Sequence, residues 1–116
     1  MSDCVFCKIA KKEIPSQTVY EDDEVIAFRD LSPQASIHVL VIPKEHFINL
    51  NDLQQRYPEK ILAIFKGVQK VVEKLEIAER GYRCVMNTNS EGGQSVYHIH
   101  LHILAGEQMG PNMAGN

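Results

Sequence analysis

The 116-residue sequence contains no tryptophan, only three cysteines and no long apolar run. A membrane-spanning helix needs about 20 apolar residues in succession, so no membrane partner is expected. A basic excess is also missing: 12 Lys and Arg stand against 15 Asp and Glu, for a formal charge of -3. Binding a polyanion would need the opposite balance, so no nucleic-acid partner is expected. The N-terminal segment MSDCVFCKIAKKEIP lacks the apolar stretch of a secretory signal. The chain is therefore expected to stay uncleaved and cytoplasmic, with its cysteines as thiols or metal ligands rather than a disulfide framework. We find no internal repeat, low-complexity tract or domain boundary. At 44% hydrophobic and 23% charged, the composition fits a single folded domain whose small core would gain from dimerisation.

The segments that remain have clear periodicities. Cys4 to Glu13 reads as a short helix that stops before Pro15, because a residue preceding proline avoids the α region. Thr18-Val19-Tyr20, Glu24 to Phe28 and Ser36 to Ile42 read as strands separated by the acidic turn Glu21-Asp22-Asp23 and the turn Asp30 to Pro33. Asn51 to Pro58 is a polar connection with room for a helical turn. Ile61, Phe65, Val68, Val72 and Leu75 then recur at steps of three and four, the core stripe of an amphipathic helix, with Gly81 as its stop. Tyr82 to Met86 and Val96 to Leu104 are strands joined by the polar loop Asn87 to Gly93. The tail, Gly106 to Asn116, has no periodicity. This order predicts an α+β fold: a mostly antiparallel sheet of about five strands, one long helix and a short N-terminal helix.

The chemistry concentrates in Tyr97-His98-Ile99-His100-Leu101-His102-Ile103. Strand side chains alternate faces with period two. His98, His100 and His102 therefore share one face, while Ile99, Leu101 and Ile103 face the core. A solvated strand face would explain three polar residues, but not three histidines. Neutral imidazoles suit metal binding or nucleophilic and acid–base work near neutral pH. Just upstream, Gly92-Gly93-Gln94-Ser95 could turn backbone N–H groups toward an anion, with Asn87, Gln94 and Ser95 as further donors. An anion cradle beside an imidazole row suits phosphoryl or nucleotidyl transfer. Cys4-Val5-Phe6-Cys7 is a C-x-x-C pair that, alone, reads as half a zinc site, a redox pair or coincidence. Cys84 is read as a small core residue.

His98-Ile99-His100-Leu101-His102-Ile103-Leu104 resembles the signature of the histidine triad (HIT) superfamily. Gly92-Gly93-Gln94-Ser95-Val96-Tyr97, Phe28-Arg29-Asp30-Leu31-Ser32-Pro33-Gln34-Ala35 and Val39-Leu40-Val41-Ile42-Pro43-Lys44-Glu45-His46 resemble its Hint branch. The resemblance runs from about Cys4 to Met109, and it implies a homodimer whose two sheets join into one. The implied activity is hydrolysis of the P–N bond of purine nucleoside phosphoramidates, with aminoacyl-adenylates as further substrates, through a covalent nucleotidyl-histidine on His100. The carbonyl of His98 would orient His100, His102 would contact the phosphate, His38 would join the triad, and Ser95 would donate to the phosphate or leaving group. Asn87 and the N–H of Gly93 or Ser95 would complete the cradle, with Gln94 beside them. Asp30 would bind the ribose hydroxyls, and Phe6, Ile9, Ile14, Phe28 and Leu31 would form the base slot. Members with the cysteine pair bind structural zinc, which maps the ligands to Cys4, Cys7, His46 and His98. Residues 1–105 would form the domain. The tail 106–116, which lacks the aromatic ending of animal Hint proteins, would lie near the partner's active site and shape leaving-group choice. A dinucleoside polyphosphate hydrolase of the Fhit type is the enzymatic rival. A nucleotide-responsive interaction module with vestigial hydrolysis is the non-enzymatic one.

Overall fold

A computed structural model describes residues 3–111, so part of the tail, residues 112–116, lies outside the described residues. The elements follow in the order α1 (Val5–Ala10), β1 (Thr18–Glu21), β2 (Val25–Arg29), β3 (Ile37–Pro43), α2 (Leu50–Arg56), α3 (Lys60–Leu75), β4 (Arg83–Val85) and β5 (Leu101–Ala105). The strands form one antiparallel sheet in the order β1-β2-β3-β5-β4. No helix among the described residues is long and apolar enough to cross a membrane.

Alternation along the strands divides the sheet into two apolar faces. Val25, Ala27, Val39, Val41, Leu101 and Ile103 join Ile64, Val68, Val71 and Val72 of α3 in the main core. Ile26, Phe28, Leu40 and Ile42 face the other way and pack against Phe6 and Ile9 of α1. Gly67 allows α3 to approach closely, since a Cβ there would sit 3.0 Å from both Val25 Cγ2 and Val41 Cγ1. The histidine face is therefore roofed by α1 rather than bathed in solvent.

Several elements end elsewhere than their sequence suggests. α1 stops at Ala10, and Lys12 takes a left-handed conformation while Glu13 N–H donates to Lys8 O. The polar connection contains a full helix, α2, whose N-terminus is capped by the Asn49 side chain accepting from Asp52 N–H. α3 ends at Leu75 rather than at Gly81. Glu76 is left-handed, and Ile77 N–H donates back to Val72 O, placing the apolar Ile77 side chain in the core. Phe65 lies off the buried stripe of α3 and is half-exposed. Cys84 is exposed, not core, because it sits on the edge strand β4 while α3 packs mainly over β1, β2 and β3.

The last strand is shorter than its alternation implies. In the β3–β5 register, Val41 pairs with Leu101. Two residues further along, Ile99 would face Pro43, which has no N–H to continue the ladder. Ile99 instead donates its own N–H to Phe47 O at 2.7 Å. The segment 96–100 is thus irregular backbone, yet its side chains keep the alternation. At the far end of β5, Glu107 Oε1 accepts from both N–H and Oγ of Ser36, and Arg83 donates to Gly110 O. The described start of the tail thus runs back along its own sheet.

Candidate active site

Three histidines have their proton positions set by backbone groups that can act in only one sense, and a fourth takes its setting from one of them. His100 Nδ1 lies 2.8 Å from His98 O. A carbonyl only accepts, so Nδ1 carries the proton and Nε2 is left with a lone pair. His98 Nε2 lies 2.8 Å from Pro43 O, so that nitrogen is protonated and Nδ1 is bare. Gln34 N–H donates to His38 Nδ1 at 3.0 Å, which leaves the His38 proton on Nε2. His38 Nε2–H then faces His102 Nδ1 at 2.9 Å, and His102 must carry its proton on Nε2.

These assignments require neutral rings, and burial favours them. Desolvation pushes His38 and His100 below the ordinary imidazole range. It pushes His98 and His102 down to about 4, helped by neighbouring imidazoles. His98, His100 and His38 are all buried. The rings of His100 and His102 are 5.0 Å apart, and Phe6 of α1 meets His100 edge-on at 5.2 Å.

His100 and His102 line a chamber of about 320 Å³ together with Asp30, Ser95 and the apolar side chains of Phe6, Ile9, Ile14, Phe28 and Leu31. Leu31 is 90% exposed and forms the rim rather than the depth of the slot. Asp30 Oδ1 accepts from Ser32 N–H at 2.8 Å, while Oδ2 lies 3.5 Å from His38 Nε2. Leu40 also lines the chamber and was missed by the sequence reading. Its place two residues from His38 on β3 was the available signal. Val96 was missed as well, although period-two alternation from His98 places it on the histidine face.

The upstream loop differs from an open anion cradle. Gly93 N–H donates to Ser90 O and Gln94 N–H to Asn89 O, so both amides serve the turn itself. Gly92 is required sterically, because a Cβ there would lie 2.4 Å from Thr88 O. Gln94 turns inward: Oε1 accepts from Asn89 N–H, and Nε2 donates to Ile48 O and Val96 O. Gln94 thus holds the loop rather than lining the chamber, and half-buried Asn87 lies outside the lining too. Ser95 is the loop's hydroxyl at the chamber.

Below the chamber, Cys4, Cys7, His46 and His98 bring four ligand atoms within 4.8 Å of one another. With Zn–N near 2.05 Å and Zn–S near 2.3 Å, a tetrahedral site has N···N edges of about 3.3 Å and N···S edges of about 3.6 Å. The observed edges are 3.2 Å for His46 Nδ1 to His98 Nδ1, 3.3 Å for Cys4 Sγ to His98 Nδ1, and 3.3 and 3.5 Å from Cys7 Sγ to the two rings. The bare Nδ1 of His98 presents the lone pair that a metal needs. Burial and the neighbouring Cys4 raise the Cys7 thiol, a cost that a bound cation would remove. The donor set therefore fits zinc. Asp30, His38 and His102 also converge, but Gln34 N–H occupies His38 Nδ1, and a metal on Nε2 would require a fully deprotonated ring. Within that trio His38 and His102 are hydrogen-bonded, and Asp30 lies beside them 3.5 Å from His38 Nε2.

The HIT domain family matches residues 11–109 of the chain. The chain is 46% identical to the purine nucleoside phosphoramidase of Escherichia coli K12, over 97% of this chain and 94% of that protein. It is 52% identical to a 14 kDa zinc-binding protein of Zea mays, over 93% of this chain and 85% of that one. Among solved structures, a HIT family hydrolase from Clostridium thermocellum superposes with a TM-score of 0.93 at 46% identity, covering 97% of this chain and 98% of that chain.

Proposed function

The chain belongs to the HIT domain family, and on that premise we propose that it is a hydrolase of purine nucleoside phosphoramidates working through a covalent nucleotidyl-histidine on His100. The observation that carries this reading is the His98 carbonyl 2.8 Å from His100 Nδ1, which leaves Nε2 bare beside the chamber. The Escherichia coli relative supports the choice of a P–N bond and a purine.

In the first half-reaction, the lone pair of His100 Nε2 attacks the α-phosphorus and the P–N bond breaks. The leaving nitrogen takes the bonding pair and a proton delivered through the Ser95 hydroxyl. In the second, water attacks the phosphorus, the P–Nε2 bond breaks, and the nucleoside monophosphate departs. One proton of that water returns to solvent, balancing the solvent proton relayed through the hydroxyl in the first half-reaction, so one water is consumed per amine released. Splitting one displacement into two is the gain of covalent catalysis. His102 donates from Nε2 to a phosphate oxygen, where charge grows in the transition state. Asp30 accepts from the ribose hydroxyls through its remaining lone pairs, and Phe6, Ile9, Ile14 and Phe28 flank the base.

Zinc on Cys4, Cys7, His46 and His98 would supply a structural crosslink between α1, the segment after β3 and the histidine segment. A homodimer belongs to the same reading. The edge position of β4 and the exposed Leu62, Phe65 and Tyr82 side chains support it. The tail 106–116 would then lie near the partner's active site. The test is to quench the reaction with adenosine phosphoramidate and locate the adduct by mass spectrometry. The adduct is expected on His100, and His100→Ala is expected to bind AMP without turning over substrate. Normal turnover by that variant, or an adduct elsewhere, would overturn the proposal.

A further inference from the structure

A second cavity, of about 750 Å³, shares Val5, Ser95 and Val96 with the nucleotide chamber. Eight large apolar side chains are exposed among the described residues, and three of them line this cavity: Val5 at 41%, Ile48 at 46% and Tyr97 at 47%. Such clustering marks a place where apolar surface is meant to be covered.

Its polar groups restrict what can cover it. Asp52 accepts from Arg56 Nε and Nη2 and from Ile48 N–H, so the guanidinium of Arg56 is already paired. Asp3 adds a second carboxylate to the lining, and Cys4 and His46, which also line the cavity, belong to the metal site and add no net charge when zinc is bound there by two thiolates and two neutral imidazoles. Two carboxylates against one paired guanidinium disfavour a phosphate, and hence the distal half of a dinucleoside polyphosphate. They suit an amine, which becomes cationic once it leaves. Ser95, exposed and shared by both cavities, stands where the bond between phosphorus and leaving group would lie.

We infer that this cavity is the leaving-group subsite and that it selects arylalkyl or branched-alkyl amines. The inference rests on the phosphoramidase reading and names the other half of its substrate. Residues Ile48 and Tyr97 then determine specificity without touching the reacting atoms.

The test compares two substrates that differ only in the amine: adenosine phosphoramidate, whose leaving group carries no side chain, and its N-phenethyl derivative. Ile48→Ser and Tyr97→Ser are each expected to lower kcat/KM for the phenethyl substrate about tenfold while leaving that for the unsubstituted one within about twofold. The unsubstituted substrate thereby reports that each variant is folded. Equal losses on both substrates, or no loss on either, would overturn the inference. So would a variant that changes the oligomeric state in sedimentation without changing substrate preference, because the cavity would then be covered by a second copy of the chain. If the unaltered protein turns over neither substrate, the phosphoramidase reading itself fails, and the two failures are distinct.

Discussion

Replacing His38 with phenylalanine separates a residue that holds another in place from one that touches substrate. The His38 side chain is 3% exposed. It accepts from Gln34 N–H and donates to His102 Nδ1. Phenylalanine keeps a ring in that space and deletes both bonds. His102 Nδ1 is then left without its donor, which costs about 1–3 kcal/mol. At roughly 4 °C per kcal/mol for a domain of this size, the melting temperature should fall by about 4–12 °C. The effect on rate is smaller than the fold's dependence suggests. Without His38, the His102 proton divides between its two nitrogens. If both tautomers are populated alike, half the molecules keep the productive Nε2–H, a loss of about 0.4 kcal/mol. Added freedom of the ring brings the expected fall in kcat to between about twofold and tenfold. His102→Phe removes the donor altogether and should cost about 10²–10³-fold, as loss of one transition-state donor does elsewhere. Steady-state kinetics on adenosine phosphoramidate with thermal melts of both variants make the comparison. A loss in His38→Phe as large as in His102→Phe would show that His38 contacts substrate itself. Unchanged melting and unchanged rate would show that the hydrogen bond between His38 and His102 is absent.

Two further outcomes follow from the same geometry. Removing zinc with a chelator should lower the melting temperature: a site filled at 1,000 times its dissociation constant stabilises by about 4.1 kcal/mol, or roughly 15 °C here. Calorimetry on zinc-loaded and chelated protein checks this, and identical melts would refute the metal site. Acidification should weaken the fold while much of the chemistry persists. An imidazole at its ordinary pKa of about 6.5 is about 97% protonated at pH 5, whereas His102, pushed to about 4 by burial, remains mostly neutral there. The nucleophile His100 is likewise held below the ordinary imidazole range by burial, so kcat/KM should fall from pH 7 to 5 by less than the roughly 25-fold loss that an ordinary imidazole would give. Over the same window the unfolded chain takes up the proton that folded His102 refuses, so stability is full above about pH 6.5 and declines toward pH 4. A thirtyfold loss of rate by pH 5 with unchanged stability would contradict both statements.

Much of the site was legible from short-range pattern. Period-two alternation placed His98, His100 and His102 on one face and Ile99, Leu101 and Ile103 on the other, and the same rule puts Leu40 beside His38. The pattern did not show that this face is roofed by α1, since that depends on where Phe6 and Ile9 find apolar partners. Nor did it show that the ladder stops at Leu101, because the cause is Pro43, opposite in register and distant in sequence. Gln94 and Gly93 looked like anion donors because their residue types allow it. Their hydrogen-bonding capacity goes instead to the loop and to Ile48.

Residue order by itself determined the faces of the strands, the C-x-x-C pair and the presence of imidazoles on a common surface, because backbone geometry imposes those locally. Which nitrogen of each ring carries its proton was decided only in three dimensions. That choice depends on a carbonyl or an amide supplied by Pro43, His98 or Gln34, and only packing brings the more distant of those groups within hydrogen-bonding reach of their rings.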